Sequence, residues 1–384
     1  MKLVYCDFIA YGGLHTGFNS ALVKVLNQTF QPDRIEFYSE ETHKNICQSK
    51  IEDENVVYFK LSFLPKSLVG GLKTMLKDLI GCIYLVNLFF TTQKKDIICV
   101  ALAYPFAQFV LYLLSKVFKR QYIFVCQHGE LEILFNNAPA STLKRNYFSI
   151  ENFIFNRKSN IHNIILGESI FNNIRSRFPN LKVVVIDHPY IFNYNSNDSN
   201  IRSFSPLIIG AIGSTGFNKG TQYVFELAEL LKEHILNGDL KIKIIGKLEP
   251  IFNDLDTGLV EHQHTSLLPE EQFKSEIESI HYSLLLRDNS MNKLTASGTF
   301  LDSVNYLKPY LSLKGEYIGF YHLKQPNAGE LFDGVFQIAE RIDFLIQNKK
   351  ITSLKYDNSI LAIRELQNEL SISNIAIKLK NQLS

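Results

Sequence analysis

Cysteine pairs at metal-ligand or redox spacing are missing from this sequence. Its five cysteines, Cys6, Cys47, Cys82, Cys99 and Cys126, are widely separated, and three sit inside apolar runs. That pattern argues for buried thiols in a reducing compartment. Low-complexity tracts and short repeats are absent as well. There is no cluster of stacking aromatics interleaved with Arg and Lys, so a nucleic-acid partner is not expected. The opening MKLVYCDF lacks the long apolar core and cleavage site of a signal peptide and reads as a first strand. Long uncharged runs are few. Leu79 to Gln93 is short for a membrane span, and Ile97 to Ser115 reaches spanning length but is interrupted by Pro105 and Gln108. A strand at 97–102 followed by a helix at 105–118 accounts for the second run. His262 and His264 have no carboxylate or cysteine at partner spacing, so no metal site is expected.

What is present is globular. The chain has 384 residues, 46% apolar and 20% charged, which suits two domains better than one core. Charge is unevenly distributed. Met1 to Ile186 holds 21 Lys and Arg against 14 Asp and Glu, a balance of +7, while Asp187 onward holds 19 against 24, a balance of −5. A basic first half suggests an anionic partner for that half.

Strand-like runs at 2–6, 56–59, 97–102, 122–126, 163–166 and 183–186 alternate with helical patterns at 17–28, 68–91, 105–118 and 168–177. Continuous apolar strands separated by helices predict a parallel sheet covered on both faces. The stretch 193–205, NYNSNDSNIRSFS, is polar and turn-rich and reads as a linker. The alternation then restarts, with strands at 207–212, 241–245, 259–262, 282–286 and 310–313 and helices at 221–236, 270–279 and 299–307. The expectation is an α/β chain of two tandem Rossmann-like parallel-sheet domains with an interdomain cleft and terminal helices. Its divisions are 1–192, a linker at 193–205, 206–357, and C-terminal helices over 358–384.

Ligands of open parallel sheets sit at the carboxyl ends of the strands, and the motifs fall there. Gly12, Gly13 and His15 follow the first strand, in a loop that either makes a plain turn or lets a substrate lie against the backbone. His128-Gly129 ends the strand at 122–126, where a histidine is either a satisfied structural group or a polar catalytic residue. His188-Pro189 reads as shaping the domain exit. In LIIGAIGSTGFNKGTQYVF, Gly210, Gly213 and Gly216 lack dinucleotide-binding spacing, but Lys219 stands at the edge of a helix, where a lysine can pair with a phosphate. In KLTASGTFLDSVNYLKPYLSL, Ser297, Gly298 and Thr299 open another helix, with Asp302 one turn in. Together the two helix starts are read as a cradle for a diphosphate, with Asp302 expected to accept from ribose hydroxyls; the alternatives are a plain capped helix and a solvated loop lysine. Asp254-Leu255-Asp256 matches the Asp-x-Asp pattern of metal-dependent sugar transferases, a short pattern in a loop.

In this order the motifs resemble the glycosyltransferases of the GT-B fold, above all the retaining family 4 class that builds bacterial surface polysaccharides such as lipopolysaccharide or capsule. Gly12, Gly13 and His15 resemble the acceptor-side loop, and His128-Gly129 the catalytic-centre histidine segment. GSTGFNKG resembles the diphosphate motif, with Gly213, Ser214, Thr215 and Lys219 on the donor. SGTFLDSVNYLKP resembles the segment that carries the ribose-binding acid, with Asp302 in that place. The sequence departs from the family in two places. The arginine of the diphosphate motif is absent, with Ser214 or Thr215 near its position. The upstream acid of the paired glutamates is Leu294, leaving Asp288 as the nearest acid for the donor sugar.

The resemblance implies a metal-independent hexosyltransferase-like enzyme, retaining, with catalytic His128 and Lys219 and no cofactor beyond its nucleotide-sugar donor. The implied acceptor is a glycan or lipid-linked molecule. The implied location is cytoplasmic, at the inner face of the membrane, with the basic half on anionic lipid. The alternative from another class is a non-catalytic glycan- or nucleotide-binding protein on the same scaffold.

Overall fold

The computed structural model describes residues 1–61, 71–120, 122–129, 131–132, 142–194, 204–262, 268–287 and 293–384. Contacts divide the chain into two compact units. One is Met1–Ile191 with Leu294–Ala296 and Leu370–Ser384, and the other is Phe192–Lys293 with Ser297–Glu369.

The first unit is built on strands β1 (Lys2–Cys6), β2 (Arg34–Ser39), β3 (Val56–Lys60), β4 (Ile97–Val100), β5 (Tyr122–Gln127), β6 (Ile161–Ile165) and β7 (Val183–Val185). They form one parallel sheet in the order β3-β2-β1-β4-β5-β6-β7. Helices α1 (Thr16–Phe30), α2 (Glu41–Lys50), α3 (Gly71–Thr91), α4 (Pro105–Val117), α5 (Thr142–Phe155) and α6 (Glu168–Ile174) connect them. Leu3 through Cys6 and Ile97 through Val100 are fully buried, as strands covered on both faces must be.

The periodicity did not anticipate β2, α2 or α5. β2 reads RIEFYS, and its two charges hide a strand whose Ile35 and Phe37 are buried. Glu36 is tolerated inside because the Lys2 ammonium lies 3.0 Å away and the Arg34 guanidinium 3.4 Å away. α2 buries only His43 and Cys47, and Glu40 caps it by accepting from the His43 backbone N–H.

The second unit repeats the plan with strands β8 (Leu207–Ile212), β9 (Leu240–Ile245), β10 (Val260–Glu261), β11 (Tyr282–Leu285), β12 (Tyr310–Leu313) and β13 (Gly329–Phe332). They too are parallel, in the order β10-β9-β8-β11-β12-β13. The helices are α7 (Thr221–Leu230), α8 (Lys232–Leu236), α9 (Glu270–Glu278), α10 (Gly298–Asn305), α11 (Glu316–Lys324), α12 (Val335–Gln347) and α13 (Lys349–Glu369). Leu207, Ile209, Ile242 and Leu284 pack with Val224, Leu227, Ile338 and Ile342 of α7 and α12 in one buried cluster. Ile212 and Ile245 pack with Ile277 and Ile280 in another.

Two expectations change here. The single helix expected over 221–236 is interrupted at Leu231 (φ −109°), which divides α7 from α8. The terminal helices expected from 358 begin at Lys349, and the last, α14 (Ile372–Leu383), packs on α1 and β7 of the first unit. Gln382 holds it there by bonding both to the Val185 N–H (2.9 Å) and to the Val185 carbonyl (2.6 Å). The Lys378 ammonium meets the buried Asp187 carboxylate at 2.6 Å. Of the expected linker 193–205, residues 195–203 lie outside the described residues, and the contact boundary falls between Ile191 and Phe192.

In each sheet the winding reverses once, between β1 and β4 and between β8 and β11. Such switch points leave a crevice at the carboxyl ends of the strands. Among the described residues, no helix is long and apolar enough to cross a membrane.

Candidate functional site

The switch point of the second unit holds a recess that is open to solvent. Its walls include Gly213, Ser214 and Thr215 after β8, Lys219 ahead of α7, Leu286 and Arg287 after β11, and Ser297 and Thr299 at the start of α10. The expected donor residues Gly213, Ser214, Thr215, Lys219, Ser297 and Thr299 are thus brought to one place. Arg287 joins them.

The local chemistry explains the convergence. Gly213 has φ +96°, and its N–H donates to the Ile245 carbonyl at 2.8 Å. The Thr215 hydroxyl donates to the Lys247 carbonyl (3.0 Å) and accepts from the Glu249 N–H (2.8 Å), so it ties the loop down. Phe217–Lys219 then forms one turn of 3-10 helix, capped by Gly220 in the left-handed region (φ +74°). The Thr221 hydroxyl secures that turn by accepting from the Gly216 N–H at 2.9 Å. Across the recess, Ser297 caps α10, its hydroxyl accepting from the Phe300 N–H at 3.2 Å. The N–H groups of Gly298 and Thr299 belong to the first turn, which has no intrahelical acceptor for them. They add the positive end of the helix dipole to the same wall.

Two cations therefore face one recess. Burial and the neighbouring Arg287 guanidinium pull the Lys219 ammonium below the ordinary lysine value, and the Asp302 carboxylate offsets part of this. Asp302 is half-buried one turn into α10 and does not line the recess. Gly298, at the helix start, is exposed. Asp288 lies outside the described residues. A site with two cations and free helix N–H groups suits a doubly anionic oxygen cluster such as a diphosphate.

Arg287 was missed by the sequence reading. The only available signal was a charged residue ending the apolar run YSLLL, the same signal that marked His128.

The first unit gathers a different chemistry at its own carboxyl edge. Gly12 has φ +55° and His15 has φ +59°. Glu40 accepts from the Gly12 N–H at 3.2 Å, and the His43 Nδ1 lies 3.1 Å from the Gly12 carbonyl, so α2 fixes this loop from behind. Gly13 is exposed, and its carbonyl accepts from the Thr16 hydroxyl at 3.1 Å. The His15 ring stacks on His128 with centroids 5.0 Å apart. Phe18 lies 4.5 Å from His128 and 5.0 Å from His188. His188, read as a domain-exit residue, is thus part of the cluster.

Burial first, then neighbouring histidine charge, holds His128 well below the usual histidine range. Burial lowers His15 also, and it brings His188 to about 4. All three rings are neutral near pH 7. A neutral imidazole both donates and accepts, which suits hydroxyl groups rather than phosphates. His43 and Asp7 were not singled out in the sequence. Asp7 is fully buried and accepts from the Ile9 and Ala10 N–H groups and from the Asn19 amide.

The Asp-x-Asp pattern is spent structurally. Asp254 and Leu255 lie in the 3-10 helix Pro250–Leu255, and the Asp256 carboxylate bonds His262 at 2.6 Å and the Gly258 N–H at 3.0 Å. His264 lies outside the described residues. Among the described residues, no group of His, Cys, Asp and Glu could hold a metal ion.

No family model and no curated protein matches the sequence. Among solved structures the chain is similar to WaaG, a glycosyltransferase involved in lipopolysaccharide biosynthesis, at TM-score 0.67 and 11% identity, over 100% of this chain and 99% of the other. It is similar to a sucrose-phosphate synthase from Thermosynechococcus elongatus at TM-score 0.69 and 10% identity, over 99% and 98%. It is also similar to a variant of TarM from S. aureus, in complex with fondaparinux, α-GlcNAc-glycerol and UDP, at TM-score 0.67 and 11% identity, over 100% of both chains. At these identities the likeness establishes architecture, and the architecture is the GT-B fold of two parallel-sheet units expected from the motifs.

Proposed function

We propose that the protein is a glycosyltransferase that takes a hexosyl group from a nucleoside-diphosphate sugar and passes it to a glycan or lipid-linked acceptor in surface-polysaccharide synthesis. The observation that carries this reading is the convergence of Lys219, Arg287 and the N-terminus of α10 on one recess at the β8/β11 switch point. The fold shared with WaaG and TarM supports it.

In this reading the bond between the anomeric carbon and the diphosphate oxygen breaks, and its electron pair leaves with the nucleotide. Lys219, Arg287 and the Gly298 and Thr299 N–H groups stabilise the charge that develops there. Arg287 takes the part of the arginine absent from the loop after β8. The acceptor hydroxyl oxygen forms the new bond on the same face, and its proton goes to the departing phosphate, so configuration is retained without a protein nucleophile or a metal. Asp302 accepts from the ribose. Gly12, Gly13, His15 and His128 serve hydroxyl groups of the sugar and acceptor as neutral hydrogen-bonding partners. The acceptor's lipid places the reaction at an anionic membrane surface, on its cytoplasmic side.

Calorimetric titration with UDP, GDP, CDP and dTDP tests the site, and transfer from the matching nucleotide sugars tests the chemistry. Binding of one diphosphate with release of its sugar to an acceptor supports the proposal. Binding without turnover of any donor favours a non-catalytic binding protein, and no binding at all removes the site.

A further inference from the structure

In α3 and α4 the polarity expected of surface helices is reversed on the outer face. A helix on a sheet normally turns polar residues to solvent. α3 instead exposes Leu79, Ile83, Val86 and Phe90, the last at 71%, while Leu85, Leu88 and Phe89 fill its inner face. The exposed set recurs at helical spacing and forms one stripe.

α4 goes further. It exposes Phe109, Leu113 and Val117, the last at 75%, and buries Gln108 and Ser115. Gln108 is satisfied inside by the Ala103 carbonyl and Glu151, each at 3.0 Å. The two helices pack side by side. At their C-terminal ends the Phe90 ring lies 5.1 Å from that of Phe118, the half-buried residue that follows Val117 of α4. Phe153 of α5, which packs on α4, is 46% exposed beside them. Isolated surface apolar residues are ordinary, but a contiguous face of this kind marks an interaction surface.

Charge selects the partner. Between Leu79 and Arg120 the basic residues are Lys94, Lys95, Lys116, Lys119 and Arg120, and the single acid is Asp96. Asp96 is buried, where it accepts from the backbone N–H groups of Lys2 and Gln93. Lys94, Lys95, Lys116 and Lys119 are exposed, and Arg157 and Lys158 extend the rim past α5. Lys77 of α3 takes no part in this rim: it is buried, and its ammonium donates to the Ile9 carbonyl at 3.0 Å.

An apolar face whose exposed charges, among the described residues, are all cationic fits neither a typical protein partner nor open water. It fits the headgroup and acyl boundary of an anionic bilayer.

We infer that the outer face of α3 and α4 docks the first unit on anionic phospholipid, with Phe90, Val117 and their neighbours entering the boundary and the four lysines meeting the headgroups. The use of this docking, delivery of the site to a lipid-linked acceptor, rests on the function proposed above, but the lipid binding itself does not.

The test is cosedimentation with vesicles of phosphatidylcholine alone and of equal parts phosphatidylcholine and phosphatidylglycerol. Three proteins are compared: the full chain, F90D with V117D, and a set with Lys94, Lys95, Lys116 and Lys119 changed to Gln. The full chain is expected to bind the mixed vesicles at low salt. The lysine set should weaken that binding about a hundredfold or more, and the F90D/V117D pair should lose what remains at high salt. Unchanged melting temperature and unchanged diphosphate binding show that the variants are folded and separate this face from the donor site. The inference is overturned if the full chain ignores both vesicles or if the variants bind as well as the full chain. It is also overturned if the F90D/V117D pair abolishes a dimer in solution while leaving lipid binding intact.

Discussion

A Cβ placed on Gly220 would fall 1.8 Å from the carbonyl oxygen of Leu286. The two backbones touch at that point, and each carries a cation one residue away, Lys219 on one side and Arg287 on the other. The close approach is what brings both charges to the recess. Gly220→Ala therefore faces two penalties: a backbone clash costing about 1–3 kcal/mol and a left-handed conformation costing about 1–2 kcal/mol. The expected outcome is a lower unfolding midpoint in urea together with weakened diphosphate binding. An unchanged midpoint would show that the approach is not required.

Arg287→Lys tests whether charge or geometry matters at the β11 end. A lysine keeps the charge but loses the planar fork that bonds two phosphate oxygens at once. Diphosphate affinity should fall between those of the native chain and Arg287→Ala. Affinity equal to that of the alanine variant would mean that the fork is the whole contribution.

Ser297→Ala separates capping from ligand contact. The hydroxyl is occupied by the Phe300 N–H, so its removal should cost about 1 kcal/mol of stability with little change in diphosphate affinity, read by denaturant unfolding and calorimetry side by side. A large affinity loss at unchanged stability would reassign the hydroxyl to the ligand.

Much of this fold is legible in the sequence. Runs such as LVYC and LIIGAI announce buried parallel strands because every side chain in them is apolar, and Ser297 announces a cap because its neighbours are helical. β2 was not legible, because Glu36 is neutralised by Lys2 and Arg34, contacts that only the folded sheet creates. Arg287 could not be paired with Lys219, since their proximity depends on β11 lying beside β8. The place of α14 was hidden for the same reason: its amphipathic pattern shows that it packs, not on which unit.

The histidine cluster makes a statement about pH. His15, His128 and His188 are all held below the ordinary histidine value, so they stay neutral as pH falls through 7 and charge only in more acid solution. Transfer should show no inflection from them between pH 6.5 and 8, and activity should decline on the acid side as the rings gain protons. His128→Ala should lower kcat more than it raises the donor KM. An activity loss centred near pH 7 that disappears in His128→Ala would contradict neutral rings.

Lys308 is buried, donates to the Glu278 (2.9 Å) and Ile280 (2.7 Å) carbonyls, and has its pKa lowered by burial to about 8. Its folded value lies below its unfolded one, so between about pH 8 and the ordinary lysine value the unfolded chain binds more protons. Stability from this group is thus lowest below pH 8 and rises with pH across that window. Urea unfolding at pH 8 and pH 10 should show the native chain gaining on Lys308→Met as pH rises, and parallel curves would show that the ammonium is not destabilised.

The central claim is that Lys219 and Arg287 form one anion site for a nucleoside diphosphate. Titration of UDP into the native chain, Lys219→Ala, Arg287→Ala and the double variant tests it most directly. A charge-assisted hydrogen bond contributes roughly 1.5–3 kcal/mol, so each single variant should bind about tenfold or more weakly, with binding lost in the double variant and folding intact in all. UDP binding of equal strength in all four proteins, or no binding of any nucleoside diphosphate by the native chain, would contradict the account.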